Sequence, residues 1–323
     1  MVRGFCLLIY QLNKGFHLGC EPFVLVIEQL PVHGDSAVGD IEAGDTPGGE
    51  GRTDDVLGQE GEPHPALHHL AEQRGAAQLD VGVDRQPTGG EALVEGVRRA
   101  APSLASLVVN INAAKTNVIL GEDGFTLWGA DSIEDELCGL RFRLSPHSFY
   151  QVNHAQTERL YALAADAAAL SGSETLLDLY CGTGTIGLSM AHRAAQVIGV
   201  EVVPAAVEDA RRNAAANGID NARFICADAA DAAAQLAREG VRPDVVVLDP
   251  PRKGCDESLI DTVVTMAPDR VVYVSCDPAT LARDLARFAA RGYEAASVQP
   301  VDMFPRTAHC ECVVRLHRHN ADR

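Results

Sequence analysis

The sequence predicts an α/β fold: a mixed seven-stranded sheet, mostly parallel, with helices on both faces and one reversed strand, preceded by a small partial β-rich subdomain. Three observations predict it. From His154 onward, short apolar runs alternate with Ala-rich amphipathic stretches, the pattern of parallel strands joined by crossover helices. The first of those runs, TLLDLY, leads through a glycine-rich loop into a helix. The last two, YEAASVQPV and CECVVRL, follow one another with only a loop between them. With no helix for a crossover they must pair antiparallel, which reverses one strand.

The remaining strands are expected at QVIGVE, ARFICA, DVVVLD and RVVYVS, each apolar and rich in β-branched residues. Helices are expected after Gly184, at Pro204, near Ala229, near Asp256 and at Pro278. Proline at 204 and 278 suits a first helical turn, where its missing N–H has no partner to lose. Ahead of this region SLVVNIN, NVILG, FTLWG and LRFRLS are short β-rich runs separated by Gly, Asp and Asn. Val32 to Gly96 contains no Phe, Tyr or Trp and little apolar periodicity. Poor order is expected there. The domain reading is therefore an atypical segment at 1–96, a partial β-rich subdomain at 97–148 and a main domain at 149–323.

A chain of 323 residues with 46% hydrophobic content can build one sizeable domain and a smaller region. No apolar run approaches the roughly 18 residues that would span a bilayer, and no cleavage site follows Phe5–Leu12, so a soluble cytoplasmic protein without a membrane partner is expected. Nine cysteines without paired spacing argue for reduced thiols rather than a disulfide framework. The net charge of -18 opposes a broad nucleic-acid surface. The imbalance is concentrated early, however: residues 1–95 hold 16 acidic against 5 basic side chains, and residues 96–323 hold 29 against 22. A local basic groove in the C-terminal part stays compatible with that distribution.

In LLDLYCGTGTIGL, Gly182, Gly184 and Gly187 match G-x-G-x-x-G between a strand and a helix, where backbone N–H groups can approach a ligand. Glu201 closes the next strand about 20 positions on, where a carboxylate can take both ribose hydroxyls. Asp228 ends the third strand, where it could meet an adenine edge. Turn-forming glycines and helix-capping acids explain each feature singly; the convergence at successive strand ends favours a nucleoside ligand.

Asp249, Pro250, Pro251 and Arg252 follow the fourth strand. An aromatic after such prolines would stack on a base for amine methylation, and Arg252 stands there instead. Cys276 ends the fifth strand just before the helix at Pro278, where a helix dipole would favour its thiolate. The cysteines at 138, 181, 226, 255, 310 and 312 read as small buried hydrophobes. Glu311, flanked by His309, Cys310 and Cys312, is a carboxylate in apolar company, raised toward useful base strength unless it is a solvated strand-edge acid.

The segments SPHSFYQVNHAQTERLY, LLDLYCGTGTIGL, VIGVE, VVVLDPPRKGCDESLI, VVYVSCDPATLARDL and FPRTAHCECVVRL occur in order across residues 145–317. In them the chain resembles the RNA (uracil-5-)-methyltransferase family, closest to its 23S ribosomal RNA branch, with weaker similarity back to about residue 100. The resemblance implies a class I, Rossmann-like fold, S-adenosylmethionine as cofactor, RNA as substrate and no obligate protein partner. It implies that Cys276 adds to C6 of a uridine, that Glu311 removes the C5 proton, and that Gln151, Tyr180, Glu201, Asp228 and Asp249 hold the cofactor, with Gln151 and Asp249 close to the target base. Gly182 and Gly184 belong to the same site. Relatives carry an OB-like RNA-binding domain, and some an iron–sulfur cluster; neither is legible here, since only Cys6 and Cys20 precede residue 138.

Two other classes share parts of this pattern. A nicotinamide-dependent dehydrogenase would explain the glycine loop but not Cys276 and Glu311. A cofactor-binding domain inactive for want of RNA-binding modules would explain the loop and the departures at the N-terminus. Transfer RNA is the alternative substrate within the family.

Overall fold

The computed structural model describes residues 5–10, 23–29, 80–81, 87–88 and, except for 103, 112–122, 147 and 152, residues 90–319. The chain divides into two compact units, one of Met1–Ile9 with Leu25–Gly129 and one of Tyr10–Val24 with Ala130–Arg323. In the first, strands β1 (Phe5–Tyr10), β2 (Phe23–Gln29), β5 (Leu104–Ile111) and β6 (Asp123–Gly129) form a sheet in the order β1-β2-β5-β6. A two-stranded pair, β3 (Asp80–Val81) with β4 (Pro87–Thr88), and helix α1 (Gly90–Ala100) complete it. Arg98 lays its guanidinium 4.5 Å from the centre of the Trp128 ring. The poor order expected through Gly96 falls mostly on residues outside those described, as does the NVILG run. Within residues 1–96 the structure describes β1 and β2, and α1 spans residues 96 and 97.

The second unit begins with a hairpin, β7 (Ile133–Leu137) and β8 (Leu140–Leu144), followed by α2 (His154–Ala168). Seven strands then form the sheet β11-β10-β9-β12-β13-β15-β14. They are β9 (Thr175–Leu179), β10 (Gln196–Glu201), β11 (Ala222–Cys226), β12 (Val245–Leu248), β13 (Arg270–Ser275), β14 (Tyr293–Val301) and β15 (Glu311–Arg318). The intervening helices are α3 (Thr185–Met190), α4 (Pro204–Ala216), α5 (Ala229–Arg238), α6 (Glu257–Met266) and α7 (Pro278–Ala289). β9 to β13 pair parallel, and β15 runs antiparallel between β13 and β14, as the helix-free connection requires.

Central strands covered on both faces are apolar throughout, and all four residues of β12 are buried. One face packs Leu177, Leu179, Val246, Leu248 and Tyr273 against Leu236, Leu259, Ile260 and Phe288 from the helices. Removing this surface from water supplies the main drive for assembly, at roughly 25 cal/mol per Å² of apolar area. Phe288 meets Tyr293 edge to face at 6.0 Å, and the Tyr293 hydroxyl donates to Pro268 O, so the buried phenol keeps a partner.

The hairpin is held by α4 in an unusual way. Asn217 exchanges hydrogen bonds with the N–H and C=O of Arg141, Asn213 does the same with Arg143, and Asp209 accepts from Ser145 N–H. Four residues advance a helix by about 6 Å. Two residues advance a strand by nearly the same distance. One helix face therefore matches the free edge of β8 as another strand would, satisfying it and blunting an edge open to pairing. Asn213 also donates to Thr183 O in the glycine loop, so the hairpin and that loop share one side chain.

Candidate active site

The C-terminal ends of β9, β10, β12, β13 and the start of β15 converge, and the candidate residues sit on them. After β9 the chain turns through Tyr180 and Gly182, with φ of 71° and 55°, and Gly184, with φ 85°, precedes α3. Gly182 faces open space, since nothing lies within 4 Å of where its Cβ would be. Gly187 serves a different end: a Cβ there would come within 2.9 Å of Asp178 Oδ2 and 3.2 Å of Val197, so its absence lets α3 lie close on the sheet. Gly187 N–H donates to Asp178 at 2.9 Å.

Glu201 accepts from Gly182 N–H on one oxygen and from Val203 N–H on the other. Both bonds aim its carboxylate at the loop while leaving lone pairs free. Asp228 caps α5 by accepting from Ala230 and Asp231 N–H on a single oxygen, so the capping alternative raised by the sequence is realised. Its second oxygen is not used by the cap. Tyr180 is half-buried, and its hydroxyl is pushed up by burial, then by Cys255 and Asp228. Gln151 is half-buried on the segment between β8 and α2. Among the described residues no hydrogen bond joins it to the other candidates.

Asp249, Cys276 and Glu311 come together. In the β13–β15 ladder Ser275 stands opposite Cys312 as the last pair, Cys276 and Glu311 are the residues next to that pair, and Glu311 is near enough to act on the thiol. Glu311 is only 4% exposed, and burial raises its carboxyl, against the pull of Arg252. Asp249 is pushed up to about 8 by burial, then by Glu311 and Asp178. Asp178 reaches about 7 through burial, opposed by the Gly187 hydrogen bond and supported by Glu201. Carboxylates that share a low-dielectric region cannot all ionise readily, so protons are retained near neutrality.

The Cys276 thiol departs from its expectation. It is raised, chiefly by burial and next by Glu311 and Asp249, with Arg252 opposing. Asp277, the next residue, caps α7 with its own carboxylate, which accepts from Thr280 N–H at 2.8 Å. Arg252 is thus the cation that acts on both Cys276 and Glu311. Sequence reasoning used Arg252 only to argue against base stacking; the signal for its role was its place three residues after Asp249 in D-P-P-R. His309 is exposed and stacks edge-on with Phe304 at 6.4 Å.

Buried polar atoms point to a ligand beside the glycine loop. Asp178 Oδ1 and Thr183 Oγ1 are buried with no hydrogen-bond partner among the described residues. Such groups are rare unless something else satisfies them. Among the described residues no helix is long and apolar enough to cross a membrane.

Known proteins match this arrangement. A sequence model described as tRNA (Uracil-5-)-methyltransferase matches residues 106–319, about two thirds of the chain. An uncharacterized RNA methyltransferase of Lactiplantibacillus plantarum is 52% identical over 229 residues, covering 71% of this chain and 50% of its own length. One from Halalkalibacterium halodurans is 46% identical over 271 residues, covering 82% and 59%. The chain thus spans about half the length of the curated relatives it matches. Among solved structures, a Pyrococcus abyssi tRNA (uracil-54, C5)-methyltransferase in complex with S-adenosyl-L-homocysteine is 32% identical with a TM-score of 0.56, over 68% of this chain and 52% of that one. A putative methyltransferase of Streptococcus mutans, at 14% identity and a TM-score of 0.50 over 70% and 65%, shares the fold. The seven-stranded mixed sheet is that of the S-adenosylmethionine-dependent methyltransferases, and the chain belongs to the tRNA (uracil-5-)-methyltransferase family.

Proposed function

We propose that this chain transfers a methyl group from S-adenosylmethionine to carbon 5 of a uridine in RNA through a covalent adduct between Cys276 and C6 of the base. The observation that carries the reading is the meeting of Cys276 and Glu311 at the end of the β13–β15 ladder, with Arg252 acting on both and Asp249 on Cys276. A dehydrogenase has no use for a half-buried thiol beside a buried carboxylate. We place the chemistry in residues 149–323.

The residues fit the cofactor. Gly182 leaves room for a ligand, Glu201 offers a carboxylate to a ribose, and the unpartnered Asp178 Oδ1 and Thr183 Oγ1 lie on the same loop system. We assign Gln151, Tyr180, Asp228 and Asp249 to the same site. When bound, S-adenosylmethionine supplies an electrophilic methyl group.

Uracil C5 is a weak nucleophile. Addition of Cys276 Sγ to C6, with loss of the thiol proton, moves the C5–C6 π electrons toward C5 and the neighbouring carbonyl. Arg252 favours the sulfur anion that performs this addition. Asp249 retains its proton near neutrality and can donate a hydrogen bond to the electron-rich base. Once C5 bears both a proton and the new methyl, Glu311 takes the proton, the C5–C6 double bond re-forms and the C6–S bond breaks. Burial raises the basicity of Glu311 for that step.

The substrate we propose first is 23S ribosomal RNA, on the six ordered segments that resemble that branch. Transfer RNA is a second reading, favoured by the description of the matching family and by the activity named for the Pyrococcus abyssi protein. Mass mapping of ribosomal and transfer RNA from cells with and without the gene distinguishes the two. Loss of 5-methyluridine from neither RNA on deletion, together with no methylation of either by the purified protein, would reject the activity and leave a cofactor-binding domain.

A further inference from the structure

Helix α7 does more than follow Cys276. Thr280, Arg283, Asp284 and Arg287 lie along one of its faces at spacings of three, one and three, and each grips the loop that carries Arg252. Thr280 Oγ1 donates to Arg252 O at 3.0 Å, Arg283 Nη2 to Lys253 O at 2.7 Å and Arg287 Nη1 to Cys255 O at 3.2 Å. Asp284 Oδ2 accepts from Cys255 N–H at 2.8 Å. Every backbone group involved belongs to the short stretch after Asp249 and the two prolines.

Asp284 is the centre of this grip. It is fully buried, yet its carboxylate is surrounded by donors: Cys255 N–H and the Tyr273 hydroxyl on Oδ2, Arg283 and Arg287 on Oδ1. A buried anion without such partners would be prohibitively costly, and removing one of them leaves the rest uncompensated. Gly254 has φ 74°, and a Cβ on it would collide with Asp284 Oδ2, so the loop is shaped to the carboxylate. Burial alone would raise the Asp284 carboxyl; the Arg283 hydrogen bond, then Cys255 N–H and the Tyr273 hydroxyl, more than offset it. Asp284 therefore stays ionised.

We propose that Asp284, with Arg283 and Arg287, is a positioning cluster that locks the Arg252–Cys255 loop onto α7 and so keeps the Arg252 guanidinium beside Cys276 and Glu311. The inference rests on Cys276 being the nucleophile only for its catalytic meaning; the geometric coupling stands without RNA. None of the three residues is assigned a direct role in the chemistry. They act through Arg252.

The sign of one measurement separates this from a merely structural role. Cys276 is faced by Glu311 from β15, by Asp249 after β12 and by Arg252 from the loop. Removing the Asp284 charge would by itself lower a nearby thiol, since an anion disappears. Releasing Arg252 would raise it. Alkylation of Cys276 by iodoacetamide, followed across pH by peptide mass mapping with exposed Cys226 as internal control, reads the difference.

In Asp284→Asn the midpoint of Cys276 alkylation is expected to move up by about half a pH unit or more, while Cys226 is unmoved and S-adenosylhomocysteine binding stays within about twofold of the parent. Arg252→Met should give the same upward shift, and the double variant no further shift. The paired variant Arg283→Lys/Arg287→Lys, which leaves Asp284 in place and keeps both positive charges while withdrawing the guanidinium groups from Lys253 O and Cys255 O, decides the matter if Asp284→Asn fails to fold. A midpoint in Asp284→Asn, or in that pair, that is unchanged or lowered while Arg252→Met raises it would overturn the positioning role. Lack of methylation by the parent protein with a normal alkylation shift would reject the proposed function and leave the positioning role intact.

Discussion

Cys276 and Glu311 come together at one end of the antiparallel β13–β15 ladder, next to its last pair, Ser275 with Cys312, and Glu311 acts on the Cys276 thiol. Directly opposed residues in such a ladder carry their side chains on the same face, with Cβ atoms roughly 5 Å apart. Slipping the register by one residue would turn Glu311 to the other face of the sheet. The reversed strand therefore does chemical service: a parallel β15 would begin at the far end of the sheet and bring its C-terminus, not Glu311, to Cys276.

That relationship predicts distinct failures for the two residues. On RNA containing 5-fluorouridine, which has no C5 proton to lose, the parent protein should form a complex that survives denaturation. Cys276→Ala should form none. Glu311→Gln should form the adduct on ordinary RNA and fail to resolve it, with turnover reduced by about 10²–10⁴-fold. Parent-rate turnover by Glu311→Gln would move the base elsewhere, with His309 the first candidate.

Glu201 should govern cofactor affinity. Its carboxylate is oriented by Gly182 and Val203 N–H, so Glu201→Ala loses charged hydrogen bonds to a ribose without disturbing the core. Calorimetric titration with S-adenosylhomocysteine should show a loss of about 10- to 100-fold. Unchanged binding would remove Glu201 from the site.

The buried carboxylates make stability depend on pH with a definite sign. Asp178 and Asp249 rise from an ordinary value of 3.8 to about 7 and about 8 in the folded protein. Folding therefore favours their protonated forms; that contribution is fully present below the ordinary value of 3.8 and is lost progressively as pH rises to about 7 and about 8. Asp284 and Asp277 are shifted down, so their contribution is lost instead as pH falls below the ordinary carboxylate range. Melting temperature should be highest near about pH 4 to 5, fall as pH rises to about 8 and level off above it. Asp249→Asn should flatten the alkaline side, gaining on the order of 2 kcal/mol over the parent at pH 9. Parallel melting curves for parent and variant across that range would refute the assignment.

Gly187→Ala tests the close approach of α3 to the sheet. The new methyl would press on Asp178 Oδ2 and Val197. Overpacking of this kind costs about 1–3 kcal/mol, measurable by urea denaturation. Gly182→Ala meets no neighbour in the protein, so its penalty comes from the positive φ and, with ligand present, from the space it takes. Cofactor binding should suffer more in Gly182→Ala, stability more in Gly187→Ala.

Much of this was readable from local signals. Apolar runs of strand length, prolines at 204 and 278 and glycines at 182, 184 and 187 report on neighbours close in sequence, and the strands and helix starts of the main domain lie where those signals put them. The reversal of β15 followed from the missing crossover alone. Signals of that kind fail where structure depends on distant partners. Strand β7 reads IEDEL, held by its pairing with β8 rather than by composition.

The chemical identities of the site residues were determined by the sequence, and their states were decided by the fold. Cys276 next to a helix start reads as an activated thiol, but its ionisation depends on burial and on Glu311, Asp249 and Arg252, which are remote in sequence. Arg252 looks like a loop cation until the β12 and β13 ends bring it beside the thiol and the carboxylate. Asp284 carries no local signal at all, because its function is to join a helix to a loop about thirty residues away in sequence. Propensity and pattern act over a few residues, whereas burial and Coulomb interaction act across space, so only the folded chain could determine which groups hold protons and which are held in place.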